Sequence, residues 1–154
     1  MVAMLEWRSP PMSADRLLWI NLATSLYMTG LIWFVQIVHY PLFAQIPAEG
    51  FQPYEQRHQA RTSYVVAPVM LAELAVSIAI LAAAPTNRLF WITSALTGVV
   101  WLSTVLVQMP LHGQLGQGYS ISAIHQLVSS NWIRTIAWSL RSLLLLYGLT
   151  QSVR

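Results

Sequence analysis

Apolar residues fall along the chain in four blocks, near 17–40, 63–84, 89–109 and 132–150. Each is about 20 residues, the length an α-helix needs to cross about 30 Å of hydrocarbon. The mixed segments between them carry the breaks. Pro41 closes the first block and Pro110 the third, and Ala84-Pro85-Thr86-Asn87-Arg88 makes a tight turn between the second and third. Segment 48–62 reads as an amphipathic helix outside the membrane that leads into the second span. Its Phe51, Tyr54, His58 and Arg61 recur on one helical face. Segment 121–129 reads as a second, shorter external helix ahead of the fourth span. The pattern predicts one all-α domain over 1–154, an integral membrane four-helix bundle.

Composition agrees and narrows the chemistry. Hydrophobic residues make up 56% of the chain and charged ones 8%, against roughly a quarter charged in a soluble domain. All eight basic residues are arginines, so Schiff-base and Walker-type lysine chemistry is excluded. The absence of cysteine excludes iron–sulfur clusters, thiolate zinc sites and disulfides. The arginines are scattered, so a net charge of +3 does not point to nucleic acid. The expected partners are lipids and a hydrophobic small molecule, and the small interior is compatible with a homo-oligomer. Arg8, Arg16, Arg88 and Arg154 flank the spans on the side of the two termini, which predicts both termini in the cytoplasm.

A shift of 73 residues lays His39 on His112, His58 on Asn131 and Arg61-Thr62 on Arg134-Thr135. This suggests an internal pseudo-twofold repeat of two spans each. In that topology His39, His58 and His112 share one level of the bilayer. Polar groups at membrane depth are costly unless they converge on a pocket or pair. His39, His58 and His112, with Glu55 one turn before His58, therefore form a candidate site for a copper, iron or zinc ion. Gln36, Gln108 and Asn131 are candidates to orient the imidazoles from behind. Glu55-Gln56-Arg57-His58 reads E-x-x-H, but no second copy exists, which disfavours a di-iron carboxylate centre. Alternatively, His39 and His112 are axial ligands of a haem whose propionates meet Arg61 and Arg134.

Deeper in the second and fourth spans, Glu73 and Arg141 are expected to form an interhelical ion pair. The competing expectation is a neutral Glu73 that handles a proton beside a cavity. His125 is expected at the surface. Tyr40 and Trp132 are read as interfacial aromatics, and Trp33, Trp101 and Trp138 as deeper ones.

Gln108-Met109-Pro110-Leu111-His112, followed by Asn131-Trp132-Ile133-Arg134-Thr135, resembles the anthrone oxygenase-like family of small four-span membrane proteins, many of them bacterial. Pro110, Leu111, Asn131, Arg134 and Thr135 match the family pattern, whereas His112 stands where asparagine is usual. The resemblance covers about 40 residues of the second half. It implies a helical bundle, in bacteria at the inner membrane, and oxygenation of a reduced aromatic. The combined expectation is an oxidase-like or oxygenase-like protein in which an ion at His39, His58 and His112 activates oxygen or water, Arg61 and Arg134 orient an anionic group, and Glu73 is a further catalytic candidate. A haem electron carrier and a non-catalytic lipid-binding accessory subunit are the alternatives.

Overall fold

The computed structural model describes residues 12–152, and among these it is all-helical. Residues 1–11 and 153–154, with Arg8 and Arg154 among them, lie outside the described residues. Helix α1 (Met12–Phe34) runs on through a π-helical turn (Val35–His39), a short α segment (Tyr40–Leu42) and a 3-10 turn (Phe43–Gln45). Helix α2 (Ala48–Ala83) is continuous. Helix α3 (Arg88–Ser103) also passes through a π turn (Thr104–Gln108) into an α segment (Met109–Leu115), and helix α4 spans Ile121–Ser152. Asn87 caps α3, its side chain accepting from the Leu89 amide at 3.0 Å.

Three of the predicted boundaries move. The prolines do not end their helices. Lacking an N–H, Pro41 and Pro110 cannot bond to the carbonyl four residues back. The backbone absorbs this one residue earlier, where the amides of Tyr40 and Met109 reach back five residues to the carbonyls of Val35 and Thr104. Each proline then sits in the first turn of the segment that follows, where no amide is needed. Segment 121–129 is not a separate external helix but the first turns of α4, and 48–62 is the first half of α2. The two π turns, each running directly into x-Pro-Leu, are 69 residues apart. That register sets His39 against Gln108, not against His112, so the 73-residue repeat does not describe α1 and α3.

The helices form a ring in which α1 and α3 each pack on α2 and α4. Three apolar layers follow one another along the bundle. Leu18, Leu22, Ile80, Phe90 and Leu145 fill one end, Met28, Ile32, Met70, Val100 and Trp138 the middle, and Phe43, Phe51, Leu115, Ile124 and Leu127 the other end. Buried polar belts separate the layers, while the outer surface carries leucine, isoleucine and tryptophan. This inversion of the soluble pattern suits a hydrocarbon solvent. Ala14–Gln45, Ala48–Ala83 and Arg88–Leu115 are each long and apolar enough to cross a membrane, which marks a membrane protein. Helix α4 is of similar length, and its two arginines turn inward while Ile133, Ile136, Leu140, Leu143 and Leu146 face out.

Candidate functional site: a polar cluster above an apolar cavity

The polar belt at the π-turn end is built by all four helices. The π turn brings Gln36 and Tyr40 into the interior together, with His39 half-buried beside them. Helix α2 contributes Glu55, His58, Gln59 and Thr62 at successive turns, α3 contributes Gln108 and His112, and α4 contributes Asn131, Arg134 and Thr135.

One chain of contacts crosses this belt. Glu55 is fully buried, and its Oε1 lies 2.6 Å from Nδ1 of His112. With the carboxylate oxygen as the acceptor, that nitrogen carries the proton. In the neutral ring Nε2 is then an acceptor, and it lies 3.0 Å from the Tyr40 hydroxyl. The Tyr40 oxygen in turn accepts from Nη2 of Arg134 at 3.2 Å. Every donor in Arg134–Tyr40–His112–Glu55 thus finds an acceptor in one direction. Gln59 steadies the carboxyl end, donating to Glu55 Oε1 at 3.2 Å and to the His112 carbonyl at 2.8 Å. Nδ1 of His58 faces both Nε2 of His39, at 3.0 Å, and the Thr62 hydroxyl, at 3.1 Å. Both neighbours are satisfied when that nitrogen is bare and they donate to it.

Arg134 is 6% exposed and all its hydrogen-bond partners are neutral. Nε and Nη2 meet Asn131 Oδ1 at 2.9 and 2.5 Å, Nη2 meets Tyr40, and Nη1 reaches Thr104 at 3.5 Å. Asn131 is itself held by Gln36, its amide donating to Oε1 at 2.8 Å, while the Gln36 amide donates to the Val128 carbonyl.

Below the cluster lies a cavity of about 380 Å³. Tyr40, His58, Thr62, Gln108, His112 and Arg134 line its polar end. Met28, Ile32, Val66, Met70, Trp101 and Trp138 are among the residues of its apolar end. The volume lies within the range of small-molecule sites, and so does the combination of apolar walls with a few convergent polar groups.

Several sequence expectations change here. Arg61 does not join Arg134. It is exposed, with no partner among the described residues, because Thr62 takes the inward position one turn after His58. Gln36, Gln108 and Asn131 orient no imidazole. Gln36 and Asn131 hold Arg134, and Gln108 bonds Ser103 and Ser130. Glu55, His58 and His112 place one ligand atom each within 4.8 Å of one another, a group that leaves His39 out. The two histidines of the haem arrangement are not free of other contacts. Nε2 of His39 and Nε2 of His112 are engaged to His58 and Tyr40, and the His58 ring contacts both imidazoles, at 4.7 and 5.3 Å between centroids. Tyr40, read as interfacial, is instead 5% exposed and bridges His112 to Arg134. Its position directly before Pro41 was the available signal. His125 is exposed.

A second polar belt lies on the far side of the cavity floor. Arg141 is fully buried; its Nη1 meets Glu73 Oε1 at 2.6 Å, and its Nη2 donates to Asn21 Oδ1 and to Ser77 at 3.1 Å. Nε donates to the Thr93 carbonyl at 3.3 Å. The second Glu73 oxygen accepts from Trp138 Nε1 at 2.9 Å, so the ion pair also fixes the tryptophan of the cavity floor.

Comparison with protein-family models, with curated proteins and with solved structures returns no match, so the geometry alone carries the functional reading.

Proposed function

We propose that this protein is a membrane-embedded acid–base site for a lipophilic molecule whose polar head enters the Tyr40–Arg134 end of the cavity. The carrying observation is the unidirectional chain from Arg134 through Tyr40 and His112 to buried Glu55, at the mouth of an otherwise apolar cavity. A phenol or an enolisable C–H presented there loses its proton toward the Tyr40–His112 pair. The resulting oxyanion faces a guanidinium whose protein partners are all neutral. The outward apolar residues of α4 support a fourth span. Arg16 and Arg88 at one end support cytoplasmic termini. Exposed Arg57 and Arg61 then stand at the opposite boundary.

A long-chain nitrophenol tests this directly, because its absorbance reports ionisation. Bound to detergent-purified protein near neutral pH, it is expected to shift toward the phenolate spectrum. The shift is lost in Arg134→Gln and reduced in Tyr40→Phe. An unshifted spectrum with the native protein, or an equal shift with both variants, overturns the proposal and leaves an accessory, lipid-binding role.

A second reading has its own support. Glu55 Oε2 is buried with no hydrogen-bond partner among the described residues, and two imidazoles with one carboxylate are a donor set for zinc or iron. Cobalt(II) titration, read by its visible ligand-field bands, is expected to saturate at one equivalent and to fail in Glu55→Gln and His58→Asn. Absent or nonspecific binding removes the metal and leaves the acid–base chain intact.

A further inference from the structure

We infer that the cavity is filled sideways from the bilayer, through a gap between α2 and α3, by a lipid-soluble weak acid. This rests on the reading of the cavity as a ligand site and adds the route and the head group.

The route follows from which lining residues are exposed. Of the residues around the cavity, Ser63 and Ala67 on α2 and Val105 and Met109 on α3 are exposed, whereas every lining residue from α1 and α4 is buried or half-buried. The open rim therefore belongs to one pair of helices. That pair is fastened above and below the rim. At the cluster end Gln59 donates to the His112 carbonyl and Gln56 to the Gly116 carbonyl, and at the far end Ser77 meets Thr97 at 3.2 Å. Between these ties no hydrogen bond links α2 to α3 among the described residues, and the facing residues include Ala67, small enough to leave a window.

The window opens onto hydrocarbon. Its flanks are Tyr64 (81% exposed), Leu102 and Leu106 (67% exposed). Unpaired, exposed Arg61 lies less than one turn above Ser63, where a snorkelling cation meets headgroups. The window thus sits just beneath that boundary, at the depth where the acidic head of a single-chain amphiphile resides.

The head group follows from the two buried arginines. Arg141 has a carboxylate partner in Glu73, whereas Arg134 has none among the described residues and lines the cavity. A buried cation with neutral partners selects a ligand that brings the negative charge. Met70, Trp101 and Trp138 then receive the apolar body.

The test uses a diazirine-bearing long-chain carboxylic acid in phosphatidylcholine vesicles containing the full chain, irradiated shortly after mixing, with adducts mapped by peptide mass spectrometry. Adducts are expected on Val66, Met70 and Trp101. Ala67→Phe combined with Val105→Phe, both at exposed positions, is expected to lower these interior adducts roughly tenfold while adducts on outward Leu71 and Leu106 persist. Arg134→Gln is expected to lower interior labelling by a similar factor, roughly tenfold, through loss of the charged contact. Wild-type adducts confined to outward faces overturn the inference as a whole. Interior adducts undiminished by the two phenylalanines overturn the lateral route, and undiminished in Arg134→Gln, or equal with the matching alcohol probe, overturn the acidic head. If the nitrophenol ionises at the site while the two phenylalanines change nothing, the acid–base function stands and the route alone falls. Interior adducts that the two phenylalanines suppress, without nitrophenol ionisation, keep the route and overturn the acid–base function.

Discussion

Replacing Arg141 by methionine should be among the most destabilising single changes available to this fold. The side chain is fully buried and makes four hydrogen bonds, to Glu73, Asn21, Ser77 and the Thr93 carbonyl. Methionine fills most of the volume and supplies none of them, and it leaves the Glu73 carboxylate buried with Trp138 as its remaining donor. Breaking a buried pair on one side costs about 3–5 kcal/mol, mostly through the charge left behind. Glu73→Leu should cost a similar amount, since the guanidinium then keeps only neutral partners. The double variant removes both charges. It still strands the Asn21 side chain and the Trp138 N–H, each worth about 1 kcal/mol, while Ser77 keeps Thr97, so it should recover about 2 kcal/mol or more relative to the sum of the singles. Unfolding by denaturing detergent, followed by circular dichroism from mild-detergent micelles, measures all four corners of the cycle. Arg141→Met within about 0.5 kcal/mol of the native protein, or a double variant costing the full sum, would refute the claim that this pair holds α2 against α4.

The two arginines that the sequence aligned should separate sharply. Arg61→Gln, at an exposed position without a partner, should change stability by less than about 0.5 kcal/mol. Arg134→Gln, losing its bonds to Asn131 and Tyr40, should cost about 1.5–3 kcal/mol in the same unfolding assay. Gly116→Ala should be mild. Its new methyl group meets the Gln59 amide nitrogen at 3.1 Å, the far end of a flexible side chain, so weakening of the Gln59–His112 bond should cost no more than about 1 kcal/mol.

The bundle was legible because its signal is cumulative: four apolar stretches and almost no charge leave little else for a chain of this length to be. The level at which the polar residues gather was also legible, since the antiparallel order of the spans places Glu55, His58 and His112 together. What escaped was rotational phase. A helical wheel drawn at 3.6 residues per turn assumes one hydrogen-bond pattern, and the π turns at Val35–His39 and Thr104–Gln108 break it. Tyr40 turns inward, although its place at the end of the first apolar block reads as interfacial. Arg61 and Thr62 show the same problem on an unbroken helix. The pair matched Arg134-Thr135 in identity, and on α4 both residues turn inward, but on α2 only the threonine does. Identity of polar residues carries no information about azimuth until the packing of the helix is known.

The crowding of polar groups on α4 bears on how the chain enters a membrane. The three more apolar helices can partition into the bilayer one at a time, each on its own hydropathy. Helix α4 carries Arg134 and Arg141 seven residues apart, about 10 Å along its axis, and neither is cheaply released into lipid alone. Beyond Asn131 on α4 itself, which Arg134 also meets, their acceptors reside on the earlier helices, in Asn21 and Tyr40 on α1, Glu73 and Ser77 on α2, and Thr93 on α3. With α4 as the fourth span, the last segment is expected to settle into the bilayer only against neighbours already delivered, which synthesis from the N-terminus supplies first.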